Sequence, residues 1–211
     1  GDRAVDFIVD TVRGTEGLWL VPTGPLTNIA MALRAAPDIA DRIAGISLMG
    51  GGSFGNFTAA AEFNIWCDPE AAAIVYSYGR RLLMCGLDVT HQFQATPERI
   101  AAVRAIPGHL ATIIADLLVF FSGTYTSRSE HLHGAPIHDA CAVLALTHPH
   151  LLHSVERHVS VETRGEHTRG MTLIDERWLR ERPAPNCTVH TAIDDDQAFA
   201  VIAAAIASFS R

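Results

Sequence analysis

The first residues that could carry chemistry are Asn56, Glu62 and Asn64, two amides and an acid that follow the glycine-rich segment 50–52. That segment itself follows a short apolar run, 46–49, which is typical of a buried strand. Open α/β sheets bind ligands beyond the carboxyl ends of their strands. Amides and carboxylates can each hydrogen-bond two neighbouring hydroxyls, as a sugar presents them. The same side chains could equally cap and fasten an irregular loop, so both interpretations stay open.

The second candidate is the pair His138 and Asp139, which opens an apolar helical pattern. An Asp at a helix start most often caps free N–H groups. The alternative is an acid–base histidine beside a carboxylate that binds a hard cation such as Ca²⁺. The acidic cluster 194–196 is a rival metal site, but it immediately precedes a helix predicted from Gln197. Carboxylates there suit the positive end of the helix dipole, which favours a capping role for the cluster.

Two further patterns indicate no site. Residues 50–55 fit the dinucleotide fingerprint G-x-G-x-x-G, but the next clear helix starts only at Asp68 and Pro69. The fingerprint needs a helix that starts at the glycines and presents its N-terminus to a pyrophosphate. His148, His150 and His153 lack the helical spacing of a zinc site, so we interpret them as surface residues in a polar connection.

Composition limits the partners. With 48% hydrophobic residues the chain can bury a substantial core. Its net charge of -7 and the lack of a basic cluster exclude nucleic-acid binding, which needs clustered Lys and Arg. The longest apolar stretch, 199–209, is far shorter than the roughly 20 residues of a membrane span.

The four cysteines form no C-x-x-C pair and lie among apolar neighbours. We expect reduced thiols, a cytoplasmic location and no membrane partner.

Strand-like and helix-like stretches alternate along the chain, which predicts an α/β, Rossmann-like layered fold with a mostly parallel central sheet flanked by helices. We expect a single domain over residues 1–211. The chain opens on a helical pattern, whereas a parallel α/β fold usually opens on a strand. The predicted strands are 18–21, 46–49, 82–85, 159–162, 171–174 and 187–192. The predicted helices are 2–12, 25–33, 68–78, 96–131 with a break at 107–108, 140–146 and 197–209.

Several segments together resemble the inosine–uridine-preferring nucleoside hydrolase family. They occur in the family's order and cover nearly the whole chain. The matching segments are VPTGPLTN (21–28), LMGGG (48–52), EFN (62–64), DPEA (68–71), HD (138–139) and, more weakly, RGMT (169–172). The resemblance implies an enzyme of nucleoside salvage or catabolism. Such an enzyme splits ribonucleosides into ribose and free base with a Ca²⁺-activated water.

The resemblance also implies roles for individual residues. Asp139 and the backbone carbonyl of Thr23 would bind Ca²⁺, and Asp139 would also touch a ribose hydroxyl. His138 would protonate the departing base. The remaining residues would bind ribose: Asn64 its 2′- and 3′-hydroxyls, Asn56 and Glu62 its 5′-hydroxyl, and Met49 and Phe63 its apolar face.

One departure from the family is serious. The family begins with a strand that ends in an aspartate cluster, D-x-D-P-G-x-D-D, which supplies further calcium ligands and the general base. Nothing in this sequence matches it, so we expect that the family's first strands are absent, that the chain alone binds calcium weakly and that it does not hydrolyse nucleosides. The alternatives are a non-catalytic ribose- or nucleoside-binding protein and an inactive homologue.

The sequence carries little information about which nucleoside bases are preferred. Tyr125, Arg128 and His131 lie just upstream of His138, and Tyr125 and Arg128 are spaced to share a helical face. They could line a base pocket or form a solvated helix end, so purine and pyrimidine preference both stay open. The family resemblance implies a homo-oligomer, a dimer or tetramer.

Overall fold

The computed structural model describes residues 3–78, 81–126 and 132–209. The strands are β1 (Leu18–Leu20), β2 (Ile43–Met49), β3 (Leu82–Cys85), β4 (Gln94–Ala95), β5 (Ala135–Pro136), β6 (Leu152–Arg157), β7 (Val159–Val161), β8 (Thr172–Ile174) and β9 (Cys187–Ile193). The helices are α1 (Ala4–Gly14), α2 (Thr27–Ala35), α3 (Phe63–Cys67), α4 (Pro69–Tyr76), α5 (Leu87–Thr90), α6 (Pro97–Arg104), α7 (His109–Thr126), α8 (His138–Thr147) and α9 (Asp195–Ser208). Short 3₁₀ helices span Pro37–Asp41 and Pro149–Leu151.

The central sheet has the strand order β1-β2-β3-β9-β6. Its first three pairings are parallel, and only β6 runs antiparallel to β9. This confirms the predicted α/β fold with a mostly parallel sheet. The parallel strands end at one edge, which brings the segments after β1, β2 and β3 together.

Alternation along the strands divides the core into two layers. Leu48 of β2 and Met84 of β3 face the layer that contains α1, α2 and α4. Met49 and Cys85, the next residue on each strand, face the layer that contains α5, α8 and α9. Helices therefore cover both faces, which explains why β2 and β3 are continuous apolar runs rather than alternating ones.

Local signals predict the helix starts well. The Asp68 carboxylate accepts a hydrogen bond from the Ala71 N–H at 3.0 Å, and Pro69 occupies the first turn of α4. Asp194 accepts from the Gln197 N–H at 3.1 Å, so the capping role predicted for the cluster 194–196 is confirmed. The other two aspartates of the cluster pair with Arg99 at 2.7 Å.

Two predictions need correction, and a third is confirmed as far as the described residues reach. Residues 152–157 form strand β6, not a polar connection; its outward residues include His153 and are polar because the strand lies at the sheet edge. The helical stretch predicted over 96–131, with its break at 107–108, is present as α6 and α7, and its last residues, 127–131, lie outside the described ranges. Cys67 is exposed, whereas the other three cysteines are buried as expected; all four are free thiols.

The predicted pair of strands after residue 158 is present as the antiparallel hairpin β7–β8, in which Val161 faces Thr172. It packs on α4, outside the central sheet. Among the described residues, no helix combines the length and the apolar character that a bilayer crossing requires.

Candidate functional site at the carboxyl edge of the sheet

Glu62 is a buried anchor at the start of α3, with 3% of its surface exposed. One carboxylate oxygen accepts from the Asn64 N–H at 2.9 Å. The other accepts from the Gly51 N–H at 3.0 Å and from the Ile65 N–H at 3.1 Å. The carboxylate therefore caps the helix and ties it to the glycine loop that follows β2. This geometry favours the loop-fastening interpretation of Glu62.

The charge environment places Asp139 on the same side of the molecule. Desolvation is the main cause that raises the pKa of Glu62, and its three N–H donors oppose that shift. The charge of Asp139 raises the pKa of Glu62 further. Desolvation likewise raises the pKa of Tyr125, with additional contributions from the charges of Glu62 and Asp139. The loop after β2, the start of α8 and the end of α7 thus share one electrostatic environment.

Asn64 has a fixed side-chain orientation. Its Nδ2 lies 3.1 Å from the carbonyl oxygen of Met49 and 3.4 Å from that of Thr23. Carbonyl oxygens can only accept hydrogen bonds, so the nitrogen must face them. Among the described residues, no group donates to Oδ1 of Asn64. The amide oxygen is therefore able to accept a hydrogen bond from a ligand hydroxyl.

Asn56 and Phe63 lie on the same loop. The Asn56 Oδ1 accepts a hydrogen bond from the Phe63 N–H at 2.9 Å. Phe63 is 46% exposed, and its ring contacts Phe57, with 5.5 Å between ring centroids. Phe57 in turn stacks on Trp66 at 3.9 Å. These three rings form an exposed apolar surface beside Asn64, whereas the Met49 side chain is buried beneath the loop.

His138, the first residue of α8, is held by hydrogen bonds at both ring nitrogens. Nδ1 lies 2.8 Å from the Thr90 hydroxyl and Nε2 lies 3.1 Å from the Tyr125 hydroxyl. Desolvation, with a smaller effect from His91, lowers the pKa of His138 to about 4. The ring is therefore neutral near pH 7, and a proton can pass along the Tyr125–His138 pair without a charged imidazolium at rest.

Asp139 does not cap its helix. Ile137 occupies the N-cap position of α8, without a side-chain cap. The Asp139 carboxylate is exposed and accepts no hydrogen bond from the described residues. Partial desolvation raises its pKa. A carboxylate left open in this way can accept an external ligand, either a hydroxyl or a cation.

The described residues offer calcium the right kind of donor but too few of them. The Asp139 carboxylate and the Thr23 carbonyl are oxygen donors, which suit Ca²⁺. The ion takes about six to eight oxygens, and within residues 3–78, 81–126 and 132–209 no group of three or more His, Cys, Asp or Glu could hold a metal. The donor chemistry fits calcium, and the ligand number falls short.

One contact of this site has no signal in the sequence, and two candidate residues lie outside the described ranges. Thr90, the last residue of α5, holds His138, yet the two positions are 48 apart in the chain and no local pattern links them. Tyr125 was a candidate, and the structure brings it to His138. Arg128 and His131 lie outside the described residues.

Comparisons with known proteins identify the same family. The family model described as inosine-uridine preferring nucleoside hydrolase matches residues 1–200. The pyrimidine-specific ribonucleoside hydrolase RihA of Shewanella woodyi is 46% identical over 99% of this chain and 67% of its own length. RihA of Escherichia coli K12 is 44% identical over 90% of this chain and 62% of its own length. The chain thus spans about two thirds of the length of these relatives.

Solved structures agree in fold. A purine-preferring ribonucleoside hydrolase from Gardnerella vaginalis superposes with a TM-score of 0.89 and 36% identity, over 98% of this chain and 66% of its own. The plant nucleoside hydrolase PpNRh1 superposes with a TM-score of 0.87 and 26% identity, over 97% of this chain and 67% of its own. Because the family model covers residues 1–200, this chain belongs to the inosine-uridine preferring nucleoside hydrolase family.

Proposed function

We propose that this protein contributes the ribose-binding side of an enzyme that hydrolyses the N-glycosidic bond of pyrimidine ribonucleosides. The observation that carries the proposal is the Asn64 amide, whose nitrogen is held by two carbonyl oxygens while its oxygen is open. The relatives of 42–46% identity are named pyrimidine-specific, which favours uridine and cytidine. The Gardnerella enzyme, at 36% identity, is named purine-preferring, so inosine is the substrate to compare.

Ribose would bind against the loop after β2. The open Asn64 oxygen would accept from a 2′- or 3′-hydroxyl, and the exposed Asp139 carboxylate would accept from a neighbouring one. Phe63 would cover the apolar face of the sugar, with Met49 packed beneath the loop. The Asn56 amide would reach the 5′-hydroxyl. Glu62, committed to three backbone N–H groups, would act there mainly by holding the loop.

His138 would serve the departing base. Cleavage of an N-glycosidic bond builds positive charge on the sugar and negative charge on the base. The Tyr125 hydroxyl, 3.1 Å from His138 Nε2, would give its proton to that base, and the Nε2–H of neutral His138 would hydrogen-bond the tyrosinate that remains until water reprotonates it. The low pKa of His138 favours this neutral route over donation by an imidazolium.

Calcium is the proposed cofactor, bound in part by Asp139 and the Thr23 carbonyl. When bound, the ion would lower the pKa of a coordinated water and hold the ribose diol. Glu62 is a poor base for that water because its oxygens already accept three hydrogen bonds. We therefore expect this chain alone to bind calcium weakly and to turn over slowly or not at all.

Two measurements on the purified chain test the proposal. Calorimetry with uridine, cytidine and inosine in the presence of Ca²⁺ tests binding, and release of free base tests hydrolysis. Pyrimidine nucleosides should bind more tightly than inosine. Binding with little or no hydrolysis is the expected result for this chain alone, whereas the lack of binding to any nucleoside would contradict the proposed site.

A further inference from the structure

Thr172, the first residue of β8, is bonded to the glycine loop through its side chain. Its hydroxyl accepts from the Gly52 N–H at 2.9 Å and donates to the Gly52 carbonyl at 2.8 Å. The two residues are 120 positions apart, and Thr172 is 2% exposed. One hydroxyl thus satisfies both backbone groups of a loop residue, in a place that water does not reach.

The loop needs such a restraint because its backbone is unusual. Gly51 and Gly52 have φ angles of +75° and +154°, in the region that favours glycine. A Cβ at Gly51 would lie 2.8 Å from both Met84 Cε and Thr172 Cγ2. The loop therefore passes between β3 and β8 with no room for a side chain. A two-glycine segment is flexible by itself, so its bonding partners must fix its position.

A series of hydrogen bonds, joined by the peptide link between Gly52 and Gly51, leads from Thr172 to the proposed ribose amide. Thr172 holds Gly52, and the next residue back, Gly51, donates its N–H to Glu62. Glu62 accepts the N–H of Asn64, whose side chain then bonds to the Met49 carbonyl at the end of β2. Every member of this series is buried or lies in the loop. A displacement of Gly52 would therefore move Gly51 and, through the two oxygens of the Glu62 carboxylate, Asn64.

We propose that Thr172 is a positioning residue for the Asn64 amide, acting through Gly52, Gly51 and Glu62. The inference rests on the proposed function, because it names a further residue on which nucleoside binding depends. Hydrogen-bonding groups recognise a diol only when they are held to within a fraction of an ångström. Thr172 touches no ribose group in this scheme, and its effect is exerted through the loop.

The hairpin that carries Thr172 has its own attachment. Arg169, just before β8, forms a bidentate ion pair with Glu70 of α4, at 2.6 and 2.7 Å. It also donates to the Thr163 carbonyl at 2.6 Å. Removal of the Thr172 hydroxyl should therefore leave the hairpin docked and release only the glycine loop.

Three variants separate positioning from general stability. Thr172→Val keeps the shape and removes both hydrogen bonds, whereas Thr172→Ser restores the hydroxyl. Thr188→Val is the matched control: its hydroxyl bonds to Glu156 at 2.6 Å near the start of β9, at the other end of the sheet from the loop. Calorimetry measures the Kd for uridine and for 2′-deoxyuridine, and amide hydrogen exchange follows Gly51 and Asn64.

We expect Thr172→Val to weaken uridine binding about tenfold, the order expected for the loss of a buried hydrogen bond. It should also reduce the preference for uridine over 2′-deoxyuridine and speed exchange at Gly51 and Asn64. Thr172→Ser should return the uridine Kd to within roughly twofold of the wild type, the scatter of a retained hydrogen bond. Thr188→Val should change neither the preference nor the exchange.

Other results overturn the proposal. A folded Thr172→Val variant that binds uridine as tightly as the wild type would refute the proposal. So would an Asn64 amide in that variant that exchanges at the wild-type rate, and this second measurement needs no substrate. If the wild-type chain binds neither nucleoside, the proposed function fails, while the exchange experiment still decides the link from Thr172 to Asn64. If Thr172→Val does not fold, a double-mutant cycle of Thr172→Ala, which also removes the hydroxyl, with Glu62→Gln replaces it. Additive effects on exchange at Asn64 would then refute the link.

Discussion

The side-chain nitrogen of Asn64 lies 3.1 Å from the carbonyl oxygen of Met49, so the last residue of β2 orients the amide at the start of α3. The Asn64 side chain is buried, with 8% exposed. Its orientation is therefore set by the backbone of the central sheet rather than by solvent. The position of the last residue of β2 therefore sets the orientation of the amide that we propose binds ribose.

Asn64→Asp should weaken nucleoside binding and stability together. A carboxylate oxygen would face the Met49 and Thr23 carbonyls, where the amide donates now. We expect a loss of about 1–3 kcal/mol in unfolding free energy, the cost of an unsatisfied buried group. Denaturant titration and uridine calorimetry measure the two effects. Asn186→Ala, which removes a half-buried amide that donates to the Tyr76 and Val159 carbonyls, should lower stability and leave uridine binding unchanged.

Tyr125→Phe should alter His138 without disturbing ribose binding. The variant removes the hydroxyl that lies 3.1 Å from His138 Nε2. The ¹⁵N resonance of that nitrogen should shift, and any turnover should fall by a factor of about 10²–10⁴, typical of a lost proton-transfer partner. The uridine Kd should be unchanged. Tyr78→Phe is the control, because the Tyr78 hydroxyl has no partner within the described chain; an unshifted His138 resonance in Tyr125→Phe would refute the contact.

Asp139→Asn should abolish the weak calcium binding that we expect. The substitution keeps the shape of the side chain and removes the charge of an open oxygen ligand. Calorimetric titration with Ca²⁺ should show a heat for the wild type that is absent in the variant. Glu16→Gln, at an exposed carboxylate before β1, is the control and should titrate like the wild type. Equal calcium affinity in Asp139→Asn would remove Asp139 from the proposed site.

Acid should destabilise the protein through His190. This histidine of β9 is 4% exposed, and within the described chain neither ring nitrogen has a partner. Desolvation lowers its pKa to about 4, opposed by the charge of Glu156. The unfolded chain, with a pKa near 6.5, binds the proton first as the pH falls. Stability is therefore full above about pH 6.5 and declines toward pH 4, by an amount on the order of 3 kcal/mol.

His190→Leu isolates that contribution. The pH dependence of the unfolding free energy between pH 7 and pH 4 should be shallower in the variant than in the wild type. The slope should not vanish, because the pKa of His138 is lowered in the same direction. Denaturant titrations at several pH values measure both curves, and parallel curves would show that His190 does not titrate as described.

The parallel strands could be predicted because burial on both faces makes β2 and β3 short, continuous apolar runs. Strand β6 could not, because an edge strand with a solvated face carries polar residues, including His153. The helix starts at Asp68 and Asp194 were predictable from capping chemistry, which is local. Strands and helix starts could thus be predicted where the residues that determine them lie within one element.

The site was only partly predictable, for a different reason. Capping a helix and binding a hydroxyl require the same groups, so the sequence could not separate these roles for Glu62. The structure adds its three N–H donors. The contacts of His138 with Thr90 and Tyr125 depend on how α5, α7 and α8 pack together. No spacing within one helix encodes such a contact.

The two consecutive glycines after β2 also bear on how the protein tolerates mutation. Even alanine at Gly51 would place its methyl group 2.8 Å from Met84 and Thr172. In a saturation-mutagenesis screen for nucleoside binding, positions 51 and 52 should therefore score as intolerant as position 64. A map of such a screen would mark as functional two residues that have no side chain with which to touch a ligand.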